Sequence, residues 1–114
     1  MRAVAGFIAP LLVAIAPLAH GVESQEKDYC KEHQEFAFFA MHARQDGEPL
    51  QDLLEFTEET KGEAYQWMKF IIFDAFKYPQ YADSGMRIKT IFSFPSEKYR
   101  NCLSIMRTRP RTNN

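Results

Sequence analysis

The sequence has little cysteine and lacks most features that announce a function. Only two cysteines occur among its 114 residues. There is no run of strand-like alternation, no internal repeat and no low-complexity tract. A nucleophile elbow, a phosphate-binding loop and a zinc-protease helix are all missing as motifs. These absences exclude a repeat architecture and give no support to the common motif-bearing enzyme classes.

The only long apolar run covers residues 3–19 and follows the positive charge of Arg2. This arrangement is typical of a secretory signal, and the small residues at its end predict cleavage after Gly21. Two prolines interrupt the run, whereas a transmembrane helix needs about 20 apolar residues. We therefore expect residues 1–21 to be removed and the mature protein to be periplasmic or secreted. A retained membrane anchor is the alternative.

Cys30 and Cys102 lie near the two ends of the mature chain. In an oxidising compartment an isolated pair is most simply a disulfide. Because the closed loop is long, the bridge should stabilise the fold by roughly 4 kcal/mol on the loop-entropy model. A metal site using Cys30 and His33 is the alternative, although further ligands at suitable spacing are missing. No metal and no cofactor are expected.

Apolar periodicity predicts an all-α fold, a small bundle of about four helices with one disulfide. Gly47 suits the left-handed residue after a helix, and Pro49 suits the first turn of the next. Pro95 should kink or restart the last helix. A folded domain is expected over residues 22–106, followed by a disordered basic tail over 107–114. The expected helices cover about 26–45, 49–60, 63–77 and 86 onward.

The charged residues at the first bend could be read as a catalytic cluster of His42, Arg44 and Asp46. On a helix, however, His42 and Arg44 project about 200° apart, so a helix stop followed by a helix start is the preferred interpretation. An acidic strip on and after the second helix is expected to be a solvated face rather than a calcium site. The aromatic third helix is expected to form core, with an apolar ligand cavity as the alternative.

Charge is divided unevenly along the chain. Residues 22–63 carry twelve acids and four bases, a net charge of −8, while residues 64–114 carry three acids and nine bases, a net charge of +6. Internal pairing would consume part of this separation, and the rest is available to partners. Arg107, Arg109 and Arg111 are candidates for contact with the envelope or an acidic partner. No nucleic acid is expected as a partner.

Two sequence patterns lie between the cysteines: Met-x-Ala-Arg-Gln-x-Gly-x-Pro, and Ala-aromatic-x-x-Pro-x-Tyr. With them the chain resembles a group of short secreted proteobacterial proteins, often encoded near prophage genes. Pro95 and the arginine-rich tail depart from the group's pattern. The resemblance implies a periplasmic, disulfide-linked helical domain and brings no activity or cofactor with it. The matching residues are Cys30, Met41, Ala43, Arg44, Gln45, Gly47, Pro49, Ala75, Phe76, Pro79, Tyr81 and Cys102.

A bend alone does not require Arg44 and Gln45, so these residues with Gly47 and Pro49 are also a candidate binding surface. The sequence favours a non-catalytic interaction protein that binds another protein or the cell envelope. A periplasmic carrier of apolar ligands or a stress chaperone is the alternative. A small hydrolase using His42, Arg44, Glu55 or Glu59 is the least expected of the three.

Overall fold

The computed structural model describes residues 16–60 and 62–108, with side chains from residue 23 onward. Within these ranges the chain forms helices and connecting turns, and no strand. The prediction of an all-α bundle of four helices is confirmed. The helices are α1 (Ala16–Gln45), α2 (Leu50–Thr57), α3 (Glu63–Phe76) and α4 (Ser84–Thr108).

Helix α1 is the central element, because it packs along α4 and also against α3, while α2 packs on α3. Its buried positions are occupied by small or flexible side chains, which allow the neighbouring helices to approach closely. Larger apolar side chains from α3 and α4 fill the space between them. The fully enclosed centre of the core consists of Ala37, Ala40 and Met41 of α1, Ile71, Ile72 and Ala75 of α3, and Phe94 of α4.

The predicted disulfide joins α1 to α4. The Cα atoms of Cys30 and Cys102 are 5.5 Å apart, within the range that a disulfide bridges, and the two residues are 72 positions apart in sequence. Both cysteines are buried. Because the bridge occupies the Cys30 sulfur, the alternative of a metal site using Cys30 and His33 is wrong.

The first bend has the predicted geometry. Gly47 has a φ of +85°, and its N–H donates to the Arg44 carbonyl at 3.1 Å, while the Glu48 N–H donates to the Ala43 carbonyl at 3.0 Å. This pair of hydrogen bonds is the Schellman motif, which ends a helix at a left-handed residue. Pro49 lies at the N-cap of α2, one position before the first turn where the sequence placed it.

Two features of the helices differ from expectation. Helix α1 begins at Ala16, ten residues earlier than predicted, and continues past the proposed cleavage position at Gly21; cleavage itself stays a prediction. Helix α4 passes through Pro95 without restarting. Pro95 is buried, and the Ser96 hydroxyl donates to the Phe92 carbonyl at 3.3 Å, which satisfies an acceptor near the interruption.

The expected start of the disordered tail at residue 107 also needs correction. Arg107 and Thr108 belong to α4, and the Thr108 hydroxyl donates to the carbonyls of Ser104 and Ile105 at 3.1 and 3.2 Å. Arg109 and Arg111 lie outside the described residues. None of the helices in the described ranges is long and apolar enough to cross a membrane.

Candidate interaction site

The last turn of α1 is bonded to the connection between α3 and α4. Gln45 is completely buried. Its Nε2 donates to the Pro79 carbonyl at 2.9 Å, and its Oε1 accepts from the Tyr81 N–H at 2.9 Å. Its own carbonyl accepts from Gln80 Nε2 at 3.3 Å and from Arg87 Nη2 at 3.2 Å. The side chain therefore bridges two part-buried backbone groups of this connection.

Arg44 adds a second attachment to the same connection. Its Nε donates to the Tyr78 carbonyl at 2.9 Å, and its guanidinium carbon lies 4.9 Å from the centre of the Phe76 ring, in cation–π range. We call Arg44 and Gln45, with the backbone they bind, the bend clamp. The clamp gives these two residues an internal role that explains why a bend would carry Arg and Gln.

The bend clamp also brings together the two patterns singled out in the sequence. Arg-Gln-x-Gly belongs to the end of α1, and the Pro79 and Tyr81 pattern belongs to the connection that it binds. A Cβ atom on Gly47 would lie 3.1 Å from Gln80 Nε2, so the close approach also favours glycine there. Of the four residues proposed as a binding surface, Gly47 and Pro49 are exposed, while the Gln45 side chain cannot reach a partner.

The proposed catalytic residues do not converge. His42 Nδ1 lies 3.0 Å from an Asp46 carboxylate oxygen on an exposed face of α1. Arg44 points instead to Tyr78, as the 200° separation predicted. Glu55 is exposed on α2, where it accepts a hydrogen bond from Gln51 at 3.3 Å, and Glu59 is exposed beyond it. That the protein is not an enzyme stays a prediction.

An open groove lies between α1 and α2 on the side of α1 away from the bend clamp. Its volume is about 540 Å³. The rings of Phe39 and Phe56 meet across it with centroids 5.2 Å apart, yet these side chains are 41% and 59% exposed. We call this the phenylalanine groove. It is lined by Phe38, Phe39, His42, Ala43, Asp46, Glu48, Asp52, Leu53 and Phe56.

The local sequence explains how the groove forms. Phe38, His42 and Asp46 are spaced by four residues and so follow one face of α1. The bend turns the chain so that Leu53 and Phe56 of α2, three residues apart, face that side. Leu53 and Ala43 are buried and form the floor, and the phenylalanines form the walls. Hydrophobic side chains of this size rarely remain exposed together unless the surface has a partner.

One end of the groove is acidic. Asp46, Glu48 and Asp52 are exposed there. Among the described residues, Arg87 is the only lysine or arginine within ion-pair distance of these carboxylates, at 3.8 Å from Asp46. An apolar surface with a negative end favours a binding partner that combines apolar and basic side chains.

Sequence reasoning did not find this groove, although one signal was present. Phe36, Phe39, Ala40 and Ala43 recur at the spacing of one helix face, so periodicity places Phe39 on the inner stripe of α1, and it assigns Phe56 to no face. Adjacent phenylalanines at 38 and 39 cannot both point into the core of one helix, because successive residues are about 100° apart. Phe56 also falls outside the inner face set by Leu50, Leu53 and Thr57.

A second cavity, of about 460 Å³, opens between α1, α3 and α4 beside the disulfide. His33 is stacked on Trp67 with ring centroids 4.0 Å apart, and Tyr29 lies 4.8 Å from His33 on α1. Tyr29 donates its hydroxyl hydrogen to Glu63 at 3.3 Å. We call this the aromatic pocket. Its other lining residues include Phe70, Asp74, Lys98, Cys102 and Ile105.

Two groups in the aromatic pocket have displaced pKa values. Burial lowers the pKa of His33, and the nearby charge of Glu63 only partly opposes this effect. Burial alone would raise the pKa of Asp74, but hydrogen bonds and charge from Lys98 and Lys77 together lower it. His33 is therefore neutral at pH 7 and Asp74 is ionised and paired.

Comparison of the chain with protein-family models, with curated proteins and with solved structures found no match. The function is therefore inferred from the geometry of the two cavities, the bend clamp and the disulfide.

Proposed function

We propose that the protein is a non-catalytic interaction protein of the periplasm or the cell exterior. Its phenylalanine groove binds a segment of another protein that presents apolar side chains next to lysine or arginine. The observation that carries this proposal is the exposure of Phe38, Phe39 and Phe56 around one groove with an acidic end.

The phenylalanines supply the apolar contacts of the groove. They flank a buried floor of Leu53 and Ala43, so a partner side chain laid on that floor would contact the rings beside it. Burying apolar surface contributes about 25 cal/mol per Å². A few inserted side chains would therefore supply most of the affinity, as in other interfaces where aromatic residues form the anchoring contacts.

The acidic end supplies orientation and selectivity. Exposed carboxylates on Asp46, Glu48 and Asp52 attract a basic segment and repel an acidic one. The attraction acts mainly on the rate of association and weakens as salt screens it. A partner segment with the reverse charge pattern would bind poorly even with the same apolar side chains.

The location of the protein follows from three observations. The apolar leader is typical of a secretory signal, the disulfide fits an oxidising compartment, and the sequence resembles a group of short secreted proteobacterial proteins. Envelope contact through Arg107, Arg109 and Arg111 is a separate expectation. Of these three residues the structure describes only Arg107, which is exposed on α4.

Selection from a displayed library of random peptides tests the proposal, with the oxidised mature chain as bait. Enriched peptides should combine aromatic or aliphatic residues with lysine or arginine. Substitution of Phe56 by Ser should reduce their binding by roughly tenfold or more, because an anchoring contact is lost. Phe70→Ser is the matched control, since Phe70 is an equally exposed phenylalanine that lies on the rim of the aromatic pocket instead.

Three outcomes would contradict the proposal. These are a library without any enriched peptide, enrichment of acidic peptides, and a loss of binding in Phe70→Ser as large as that in Phe56→Ser. Because both phenylalanines are largely exposed, both variants should fold, and circular dichroism of the purified proteins verifies this point.

A further inference from the structure

We infer that the aromatic pocket binds small organic ammonium ions, namely protonated amines attached to a compact apolar body. This site is separate from the phenylalanine groove and goes beyond the proposed function. Four features carry the inference: the aromatic walls, a carboxylate for which the described residues provide no salt bridge, a buried nitrogen without a hydrogen-bond partner among them, and an open volume suited to a small molecule.

The aromatic lining of the pocket favours a cation as the ligand. Tyr29, Trp67 and Phe70 all line the pocket, and aromatic faces attract ammonium groups that lie within about 6 Å of the ring centre. One face of Trp67 is already stacked on His33, so a cation would meet the part of the ring that remains open to the pocket, and the attraction increases when the cation is removed from water. The pocket of about 460 Å³ falls within the usual range for small-molecule sites.

The charges around the pocket also favour an organic ammonium ion as the ligand. Asp74 is satisfied by Lys98 and Lys77, so that cluster offers no free cation for an anionic ligand. Glu63 also lines the pocket. No lysine or arginine of the described chain forms a salt bridge with Glu63, which accepts a hydrogen bond from the hydroxyl of Tyr29. An ammonium ion would therefore meet a carboxylate, while a carboxylate ligand would meet repulsion.

The imidazole of His33 offers a further contact. Its Nε2 atom is buried, and no hydrogen-bond partner for it exists among the described residues. A buried polar atom without a partner is uncommon and destabilising. The ring forms part of the pocket wall, and its lowered pKa keeps it neutral at pH 7. Since this atom is closed to solvent, an N–H of a ligand would supply the missing donor once the ring turns toward the cavity.

An inorganic cation is a poorer fit than an organic one. No group of three or more His, Cys, Asp or Glu side chains in the described chain is arranged to hold a metal ion. A bare ion would also make no use of Ile71 and Ile105, which are apolar residues of the lining. An apolar body attached to the ammonium group uses both parts of the pocket.

Three probes of nearly the same shape test this inference on the oxidised mature chain: 2-phenylethylamine, 2-phenylethanol and phenylacetate. Trp67 is the only tryptophan, so its fluorescence reports binding in the pocket directly. The amine should bind roughly tenfold more tightly than the alcohol, and phenylacetate should bind most weakly. Equal affinities for the three probes, or tightest binding of phenylacetate, would overturn the inference.

Substitution separates this site from the phenylalanine groove. Glu63→Gln should weaken the amine severalfold while leaving the alcohol unchanged, because only the charged ligand loses a partner. Since Glu63 is exposed, the variant should fold. Phe56→Ser, which disables the groove, should leave amine binding unaltered. A Glu63→Gln variant that binds the amine as well as the parent chain would also count against the inference.

Discussion

The two faces of the last turns of α1 differ although their residues alternate in sequence. On the closed face, Gln45 is completely buried and hydrogen-bonded to Pro79 and Tyr81. On the open face, Phe39 and His42 are exposed beside the phenylalanine groove. The closed face contains polar side chains bonded within the chain, and the open face contains aromatic rings exposed to water.

This is the reverse of the usual burial pattern. It indicates that the closed face stabilises the fold and that the open face binds a partner. A glutamine is buried where hydrogen bonds can be completed within the chain, so the closed face fixes the connection between α3 and α4. Phenylalanines are exposed where their contacts can be completed only by another molecule. We therefore expect changes on the closed face to affect folding, and changes on the open face to affect binding.

Among changes on the closed face of α1, removal of the disulfide should lower the free energy of unfolding most. The bridge joins residues 72 positions apart, and the loop-entropy model gives a stabilisation of about 4 kcal/mol. The double variant Cys30→Ser, Cys102→Ser should lower the free energy of unfolding by that order in urea denaturation. An unfolding midpoint equal to that of the oxidised parent would show that the bridge contributes little.

Replacing Gln45 by Leu should be the next largest change. The substitution leaves the Pro79 carbonyl and the Tyr81 N–H without their partners, and each orphaned buried group costs about 1–3 kcal/mol. We expect the free energy of unfolding to decrease by roughly 3 kcal/mol. Urea denaturation measures this loss.

The matched control for Gln45 is Gln66→Leu on the exposed side of α3. Surface substitutions of this kind usually change stability by less than about 0.5 kcal/mol. If both variants lost the same stability, the hydrogen bonds of the bend clamp would not be the cause. Peptide binding by the folded Gln45→Leu protein should stay close to the parent value, since the groove is on the other face.

Lowering the pH should decrease the free energy of unfolding in two stages. The pKa of His33 is lowered by burial from its ordinary value of 6.5, so the folded state prefers the neutral ring. As pH falls below 6.5, the unfolded chain binds more protons and the free energy of unfolding decreases. The pKa of Asp74 is lowered from its ordinary value of 3.8, so a second decrease follows as pH falls through that region.

The variant His33→Phe keeps a ring against Trp67 and removes the first of these stages. Its stability between pH 6.5 and pH 5 should therefore depend less on pH than that of the parent. His42→Gln serves as the control, because His42 is exposed on the open face, and it should retain the parent profile. The same acid dependence in the His33→Phe variant would assign the effect to another group.

The sequence was a good guide wherever local chemistry determined the structure. Helical periodicity predicted the four helices, Gly47 marked the end of α1, and the two cysteines predicted the bridge between α1 and α4. These features depend on neighbouring residues or on the single possible pairing of two cysteines. Boundaries such as the end of α4 at Thr108 were less accurate, because several residue types can extend a helix by a turn.

The groove and the bend clamp could not be predicted in the same way. Gln45 reaches residues more than thirty positions away, and nothing in its local sequence shows that Pro79 will be near. The exposure of Phe39 depends on how α2 lies against α1 after the bend. Helix periodicity predicts which residues share a face but does not tell whether a neighbouring helix covers that face.

One measurement tests the separation of the two faces most directly: mapping of backbone amide chemical shifts during titration with matched peptides. An amphipathic peptide of lysine and leucine is compared with a peptide in which glutamate replaces each lysine. The account predicts that the lysine peptide shifts amides of α1 and α2 around Phe39 and Phe56, leaves those near Tyr81 in place, and binds more tightly than the glutamate peptide. Equal binding of both peptides, or shifts centred on Phe70 and Ile105, would contradict it.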